Sequence, residues 1–103
     1  AADVDAEARI DSTVVVRPLY PDSLFDAQVA GELLAEFVVG TNGEALMETF
    51  NAITTTHRSL VEPVRRAVRE QHFVPATRKG RVVQQVVQLP FTFVPDSTAM
   101  RRR

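Results

Sequence analysis

The chain has no cysteine and only two histidines among its 103 residues. Without cysteine there are no disulfides and no thiolate metal sites, which suits either a reducing compartment or an exported protein without staples. His57 lies in a polar stretch and His72 at the end of a predicted helix. With no carboxylate cluster near them, they make a poor metal donor set. Long apolar runs are also missing, so this sequence contains no membrane span. Net charge is close to balanced at −1, although residues 1–11 carry four acids against one base and Arg101-Arg102-Arg103 closes the chain. A terminal basic run of this kind reads as a solvated tail.

Groupings that could support catalysis are equally scarce. Nucleophilic chemistry needs a hydroxyl beside an oriented base, and the only approach to that is His57 after Thr54, Thr55 and Thr56, which reads as a polar loop. Glu32 and Glu36 share one strand face, where they are solvated charges. Gly40-Thr41-Asn42-Gly43 lacks the lysine and following helix of a phosphate loop. Arg65, Arg66 and Arg69 form a basic helix face without interleaved aromatics, which argues against nucleic acid. We expect no enzyme, no cofactor, no metal and no nucleic-acid partner.

What remains is one small domain with an ordinary 45% hydrophobic content. Residues 1–12 are acidic and Ala-rich and read as a linker or frayed end. Ser12 to Arg17 has the β-branched content of an extended segment, and Pro18 and Pro21 keep the residues before them extended. Residues 21–29 suit a short helix capped by Asp22 or Ser23, with Gly31 ending it or its turn. From Glu32 strict alternation sets Leu33, Ala35, Phe37 and Val39 on one face, a strand with one buried side. Asn42-Gly43 signals a hairpin. The returning strand is expected over residues 45–53, with Leu46, Phe50 and Ala52 on one face, Met47 and Ile53 on the other, and a bulge or early end.

Residues 54–58 read as a loop. Ser59 and Glu62 fit a capping box, Pro63 falls in the first helical turn, and Leu60, Val64, Ala67 and Val68 form the apolar stripe of a helix reaching about Gln71. Burying Phe73 after it contributes about 2–3 kcal/mol. Residues 76–80 read as a basic turn. Residues 81–93 are expected as the longest strand, with Val83, Val87, Leu89, Phe91 and Phe93 inward and Gln84, Val86 and Gln88 outward. Pro90 cannot donate to a ladder, so this strand is expected at a sheet edge, with a register for strand addition over Gln84, Gln85, Val86, Val87, Gln88 and Leu89 that Pro90 ends.

The ordered set Tyr20-Pro21, Gly31-Glu32-Leu33-Leu34-Ala35-Glu36-Phe37-Val38-Val39, Asn42-Gly43, Val64-Arg65-Arg66-Ala67, Phe73-Val74-Pro75-Ala76, Gly80 and the Val-rich strand with Pro90 and Phe93 resembles the C-terminal domain of TonB-family energy transducers. The likeness runs from about Arg17 to Phe93. It implies an α+β fold, a three-stranded antiparallel sheet with two helices packed on one face, over residues 17–95, after a linker over 1–16 and before a tail over 96–103. It implies a periplasmic domain that grips the TonB box of outer-membrane transporters by strand addition, helped by Arg17, Leu19 and Tyr20 ahead of the first helix. ExbB and ExbD would drive it through an N-terminal membrane helix and Pro-rich spacer that this sequence lacks, so a fragment or stand-alone domain is expected. The approach Val16-Arg17-Pro18-Leu19 also lacks the family's glutamines. A homodimer is compatible with open edges, and the alternative is a dimerisation or regulatory module of an envelope protein with the same fold.

Overall fold

Residues 4–95 are described by a computed structural model of the protein; the arginine tail expected over 96–103 lies outside them. In chain order the elements are β1 (Arg9–Ile10), α1 (Asp22–Asp26), β2 (Gly31–Val39), β3 (Ala45–Thr55), a 3-10 turn (Arg58–Leu60), α2 (Val61–Glu70), β4 (Phe73–Val74), β5 (Ala76–Arg78), β6 (Arg81–Val83) and β7 (Gln85–Phe93). The main sheet is antiparallel in the order β3-β2-β7. The fold is α+β, with α1 and α2 on the sheet face that carries the core. No helix among the described residues is long and apolar enough to cross a membrane.

Strand β2 is the spine of the domain. Its alternation puts Leu33, Ala35, Phe37 and Val39 into the core, where they meet Leu60, Val64 and Val68 of the helical layer and Phe73, Phe93 and Tyr20. It begins at Gly31, so that glycine opens the strand instead of closing the helix. A Cβ there would lie 2.7 Å from Leu60 Cδ1. Helix α1 is shorter than expected and has no side-chain cap: its N-cap is Pro21, which carries no side-chain acceptor. Gln28, at φ 59, turns the chain out of the helix.

The β2–β3 hairpin closes with Gly40 N–H donating to Glu44 C=O and Gly43 N–H to Gly40 C=O. Gly43 is required twice over. Its φ is +84, and a Cβ would sit 2.5 Å from the Phe73 carbonyl oxygen, whose own N–H donates back to Gly43 C=O. Strand β3 continues to Thr55, two residues past the expected end, with register shifts opposite Leu34/Ala35 and Glu36/Val38. At the second, Thr49 Oγ1 accepts the Val38 N–H and donates to Leu46 C=O. The extra residues change the expected facing only at the start of the strand, at Leu46 and Met47. Met47 packs with Phe50 and Ala52 against the core, while Leu46 lies opposite Val38.

Helix α2 buries the expected stripe Leu60, Val64, Ala67 and Val68. The Ser59/Glu62 capping box does not form. A 3-10 turn leads into the helix, so the N-cap is Leu60 in the helical region, where the extended backbone that a capping box uses is absent. Phe73 is buried in β4 against Phe37, with ring centroids 5.5 Å apart.

Two segments depart further from expectation. Residues 5–11 are not a frayed end: β1 pairs with β4, Ala6 bridges Thr77, and Asp11 N–H donates to His72 C=O. This strap is held by backbone bonds, which its polar side chains do not reveal. The long strand over 81–93 is divided at Gln84. Beyond Gln85↔Val39 there is no more β2 to pair with, and β6 turns to β5 instead. The basic turn over 76–80 is therefore a β-hairpin.

Candidate functional site: an open strand edge

Strand β7 is the outer strand of the main sheet. In an antiparallel ladder, facing residues alternate between hydrogen-bonded and non-hydrogen-bonded pairs. Pro90 stands opposite Leu34 and has no N–H, so that pair is of the non-bonded kind. By alternation Glu32, Leu34, Glu36 and Val38 turn their backbone groups towards β3. Two bonds agree with this: Thr56 N–H donates to Glu32 C=O, and Val38 N–H donates to Thr49 Oγ1. On β7, residues 85, 87, 89, 91 and 93 accordingly bond β2. Val86, Gln88, Pro90 and Thr92 turn their backbone groups away from the sheet.

None of the turn, loop and bridging backbone bonds among the described residues involves residues 84–93. The outer flank therefore offers N–H and C=O of Val86 and of Gln88, a gap at Pro90 where only C=O remains, and Thr92. Their side chains are exposed, Val86 at 57%, and Gln88 Nε2 donates to Glu36 Oε2 on the neighbouring strand. Unpaired backbone groups on an accessible strand are the requirement for strand addition.

The sequence-predicted site residues separate into two places and two classes. Gln84, Val86 and Gln88 are exposed on or beside the open flank, while Val87 and Leu89 are half-buried towards the core. Gln85 is placed otherwise: it is 8% exposed and its Oε1 accepts the Ala8 N–H at 2.7 Å. Its parity puts it on the inner face, where it fastens the strap. Tyr20 is likewise committed to the interior. Its hydroxyl donates to Val29 C=O, and its ring meets Phe25 and Phe93 edge-on at 5.4 Å. Arg17 and Leu19 are exposed along a groove of about 500 Å³ between the Val16–Pro21 stretch and α2, which contributes Glu62, Arg66 and Glu70. Val16, one residue earlier, shares a small cleft with Leu89 and Phe91. The segment thus borders the far half of β7, and residues 84–88 lie at its other end.

Sequence reasoning missed Gln71. It is 4% exposed, and its Oε1 accepts the Val16 N–H while Nε2 donates to the carbonyls of Val14 and His72. A buried amide with this many backbone partners fixes the course of the segment that leads to Arg17. Nearby, hydrogen bonds from the Thr13 hydroxyl and N–H hold the Asp11 carboxyl below its ordinary value, with smaller help from His72 and Arg9. Among the described residues no three His, Asp or Glu side chains converge on a metal-sized space. Thr56 Oγ1, next to His57 Nδ1, accepts the Glu32 N–H, tying that pair into the end of the β2–β3 ladder.

Residues 16–95 match the family model described as Gram-negative bacterial TonB protein C-terminal. Among solved structures, the chain is similar to the solution NMR structure of Pseudomonas aeruginosa TonB CTD. The TM-score is 0.69 at 18% identity, over 100% of this chain and 93% of that one. At that identity the likeness is one of fold. No curated protein matches the chain.

Proposed function

The chain belongs to the TonB C-terminal family, and from that premise we propose that it binds the TonB box of outer-membrane transporters in the periplasm. The box is added as a strand to the outer flank of β7, and the domain passes on movement that an inner-membrane ExbB–ExbD complex derives from the proton gradient. The observation that carries this reading is the open flank itself: Val86 and Gln88 offer backbone donors and acceptors that nothing else among the described residues uses.

The chemistry follows from the edge. Each ladder bond contributes about 1 kcal/mol net, so the four offered by Val86 and Gln88, with the Pro90 carbonyl and Thr92 beyond, make a reversible grip once ordering of the guest is subtracted. Main-chain pairing is indifferent to most side chains, which lets one domain serve several transporters. A pull along the strands loads all of these bonds together in shear. Arg17 and Leu19, exposed on the segment bordering β7, add side-chain contacts.

A synthetic TonB-box peptide titrated into isotope-labelled protein should shift the amides of Val86 and Gln88 first. Binding confined to the Arg65, Arg66 and Arg69 face would refute the reading. The alternative, a dimerisation or regulatory module, rests on the same open edge being offered to a second copy. It predicts a doubled solution mass that peptide does not disperse.

A further inference from the structure

The open flank does not stop where β7 does. Thr77 spends both backbone groups on the strap, its C=O accepting from Asp5 and Ala6 and its N–H donating to Ala6. The facing pair Thr77↔Val82 is therefore non-bonded, and Val82 turns its backbone away from β5. Arg81 and Val83 bond β5, just as the odd-numbered residues of β7 bond β2. Side-chain burial alternates without a break from Val82 through Gln84 to Phe93. Val82, Val86, Gln88 and Thr92 consequently line one flank, with Gln84 joining its two parts, over about 34 Å at strand rise. Val82 and Val86 are both more than half exposed.

The far end of this flank is built against its own interest. Arg78 and Arg81 face each other directly across the β5–β6 hairpin, an arrangement of like charges that destabilises a strand pair. Between them, Lys79 occupies a left-handed position at φ 52, followed by Gly80 at φ 78. A two-residue turn of this kind prefers Asn or Asp there. All three cations are exposed and none forms an ion pair among the described residues. The Asp5 carboxylate accepts the Lys79 backbone N–H at 2.6 Å. Three cations without a side-chain ion pair among the described residues thus stand at one end of an 11-residue open flank, on a tip where a Cβ added at Gly80 would meet nothing within 4 Å.

We infer that the recognition edge runs from Thr92 through β7 into the β5–β6 hairpin, and that its guest is an extended protein segment with carboxylates where it passes Arg78, Lys79 and Arg81. This rests on the strand-addition reading and assigns its guest a charge pattern. Paired backbone along Val86 and Gln88 holds the guest, and the cationic tip fixes which end lies at the hairpin. An exposed ion pair is worth about half a kcal/mol at low salt, so two together give about a fivefold preference.

The test uses the full chain, isotope-labelled, and ten-residue peptides of alternating threonine and valine. One set ends in two aspartates, at either terminus, and its control ends in two asparagines. The expected result is amide shifts at Val86 and Gln88 with all peptides, and about fivefold tighter binding of an aspartate peptide at 20 mM salt. That preference should vanish at 0.5 M salt and in the double variant Arg78→Gln/Arg81→Gln. The variant should melt no lower than the parent, since it removes a repulsive pair. Shifts at Val86 and Gln88 with equal affinity for aspartate and asparagine peptides would overturn the inference and leave strand addition standing. No shift at those amides with any peptide would overturn both.

Discussion

Gln88→Pro and Val87→Pro, adjacent substitutions of the same kind, should have opposite consequences. The Gln88 N–H points away from β2, so proline there removes no bond of the main sheet. Pro90 already occupies the same row opposite Leu34 with pairing intact on either side. The variant also loses the Gln88 to Glu36 side-chain bond, an exposed contact at 3.2 Å worth a few tenths of a kcal/mol. Its melting temperature should stay within about 4 °C of the parent. The Val87 N–H points into the ladder opposite Phe37. Proline there deletes that bond and leaves its acceptor unpaired inside the sheet, costing about 2 kcal/mol or more, which lowers melting by about 8–16 °C in a domain of this size.

Guest binding should move the other way. Gln88 supplies one of the two consecutive donors on the outer flank, and its loss costs about 1 kcal/mol, or fivefold in affinity. The ring carbon standing where the hydrogen pointed adds to that loss. Circular dichroism melts and a peptide titration followed at Val86 are sufficient, with Gln88→Ala separating side-chain from backbone effects. If Gln88→Pro unfolds as readily as Val87→Pro, the assigned backbone directions are wrong. If it folds and still binds the peptide like the parent, the guest does not pair with this flank.

Three further outcomes follow from interior contacts. Tyr20→Phe keeps both ring contacts and deletes the bond to Val29 C=O; it should cost about 1 kcal/mol and about 4–8 °C in melting, and an unchanged melt would show that the hydroxyl contributes nothing. Gln71→Leu removes the acceptor for Val16 N–H and the donor to Val14 C=O. Hydrogen exchange at Val16 should accelerate by about tenfold or more while α2 amides are unaffected, and loss of α2 protection as well would mean the amide supports the whole domain. Asp11 titrates below its ordinary 3.8 because Thr13 bonds its charged form. A depressed carboxylate stabilises above the unfolded pKa and ceases to as pH falls through the folded one, so the Thr13 amide should titrate with a midpoint under 3.8, and a midpoint at or above it would contradict the bond.

The elements legible in the sequence are those whose signal is local. Alternation over residues 32–39 located β2 and its buried face, Asn42-Gly43 located the hairpin, and spacing of Leu60, Val64, Ala67 and Val68 located α2. Each pattern repeats within a few residues and needs no knowledge of the rest of the chain. What was missed depends on partners far along it. The break at Gln84 is set by the length of β2, because β7 pairs only as far as Val39 reaches. The strap over residues 5–11 is held mainly by main-chain bonds to residues 72–77, with Asp5 and Gln85 side chains bonding the Lys79 and Ala8 N–H groups, partners that lie far along the chain. Gln71 and Gln85 look like surface amides until the backbone they satisfy is known. At the candidate site, Pro90 alone marked the edge, since an absent donor is visible in sequence; the burial of Tyr20 and Gln85 is not.

The same proline also explains how an exposed strand can remain available without becoming a liability. A long, flat, apolar edge pairs with copies of itself. Here Gln84 and Gln88 alternate with Val82 and Val86 on the exposed row, and Pro90 interrupts the donors after Gln88. Only Val86 and Gln88 follow one another as complete donor–acceptor positions within β7, before the chain shifts from one ladder to another at Gln84. A second copy pairing antiparallel on this flank would bring its own Pro90 gap into the ladder. A guest with an unbroken donor row lacks that defect. The edge is therefore more favourable to a foreign strand than to its own.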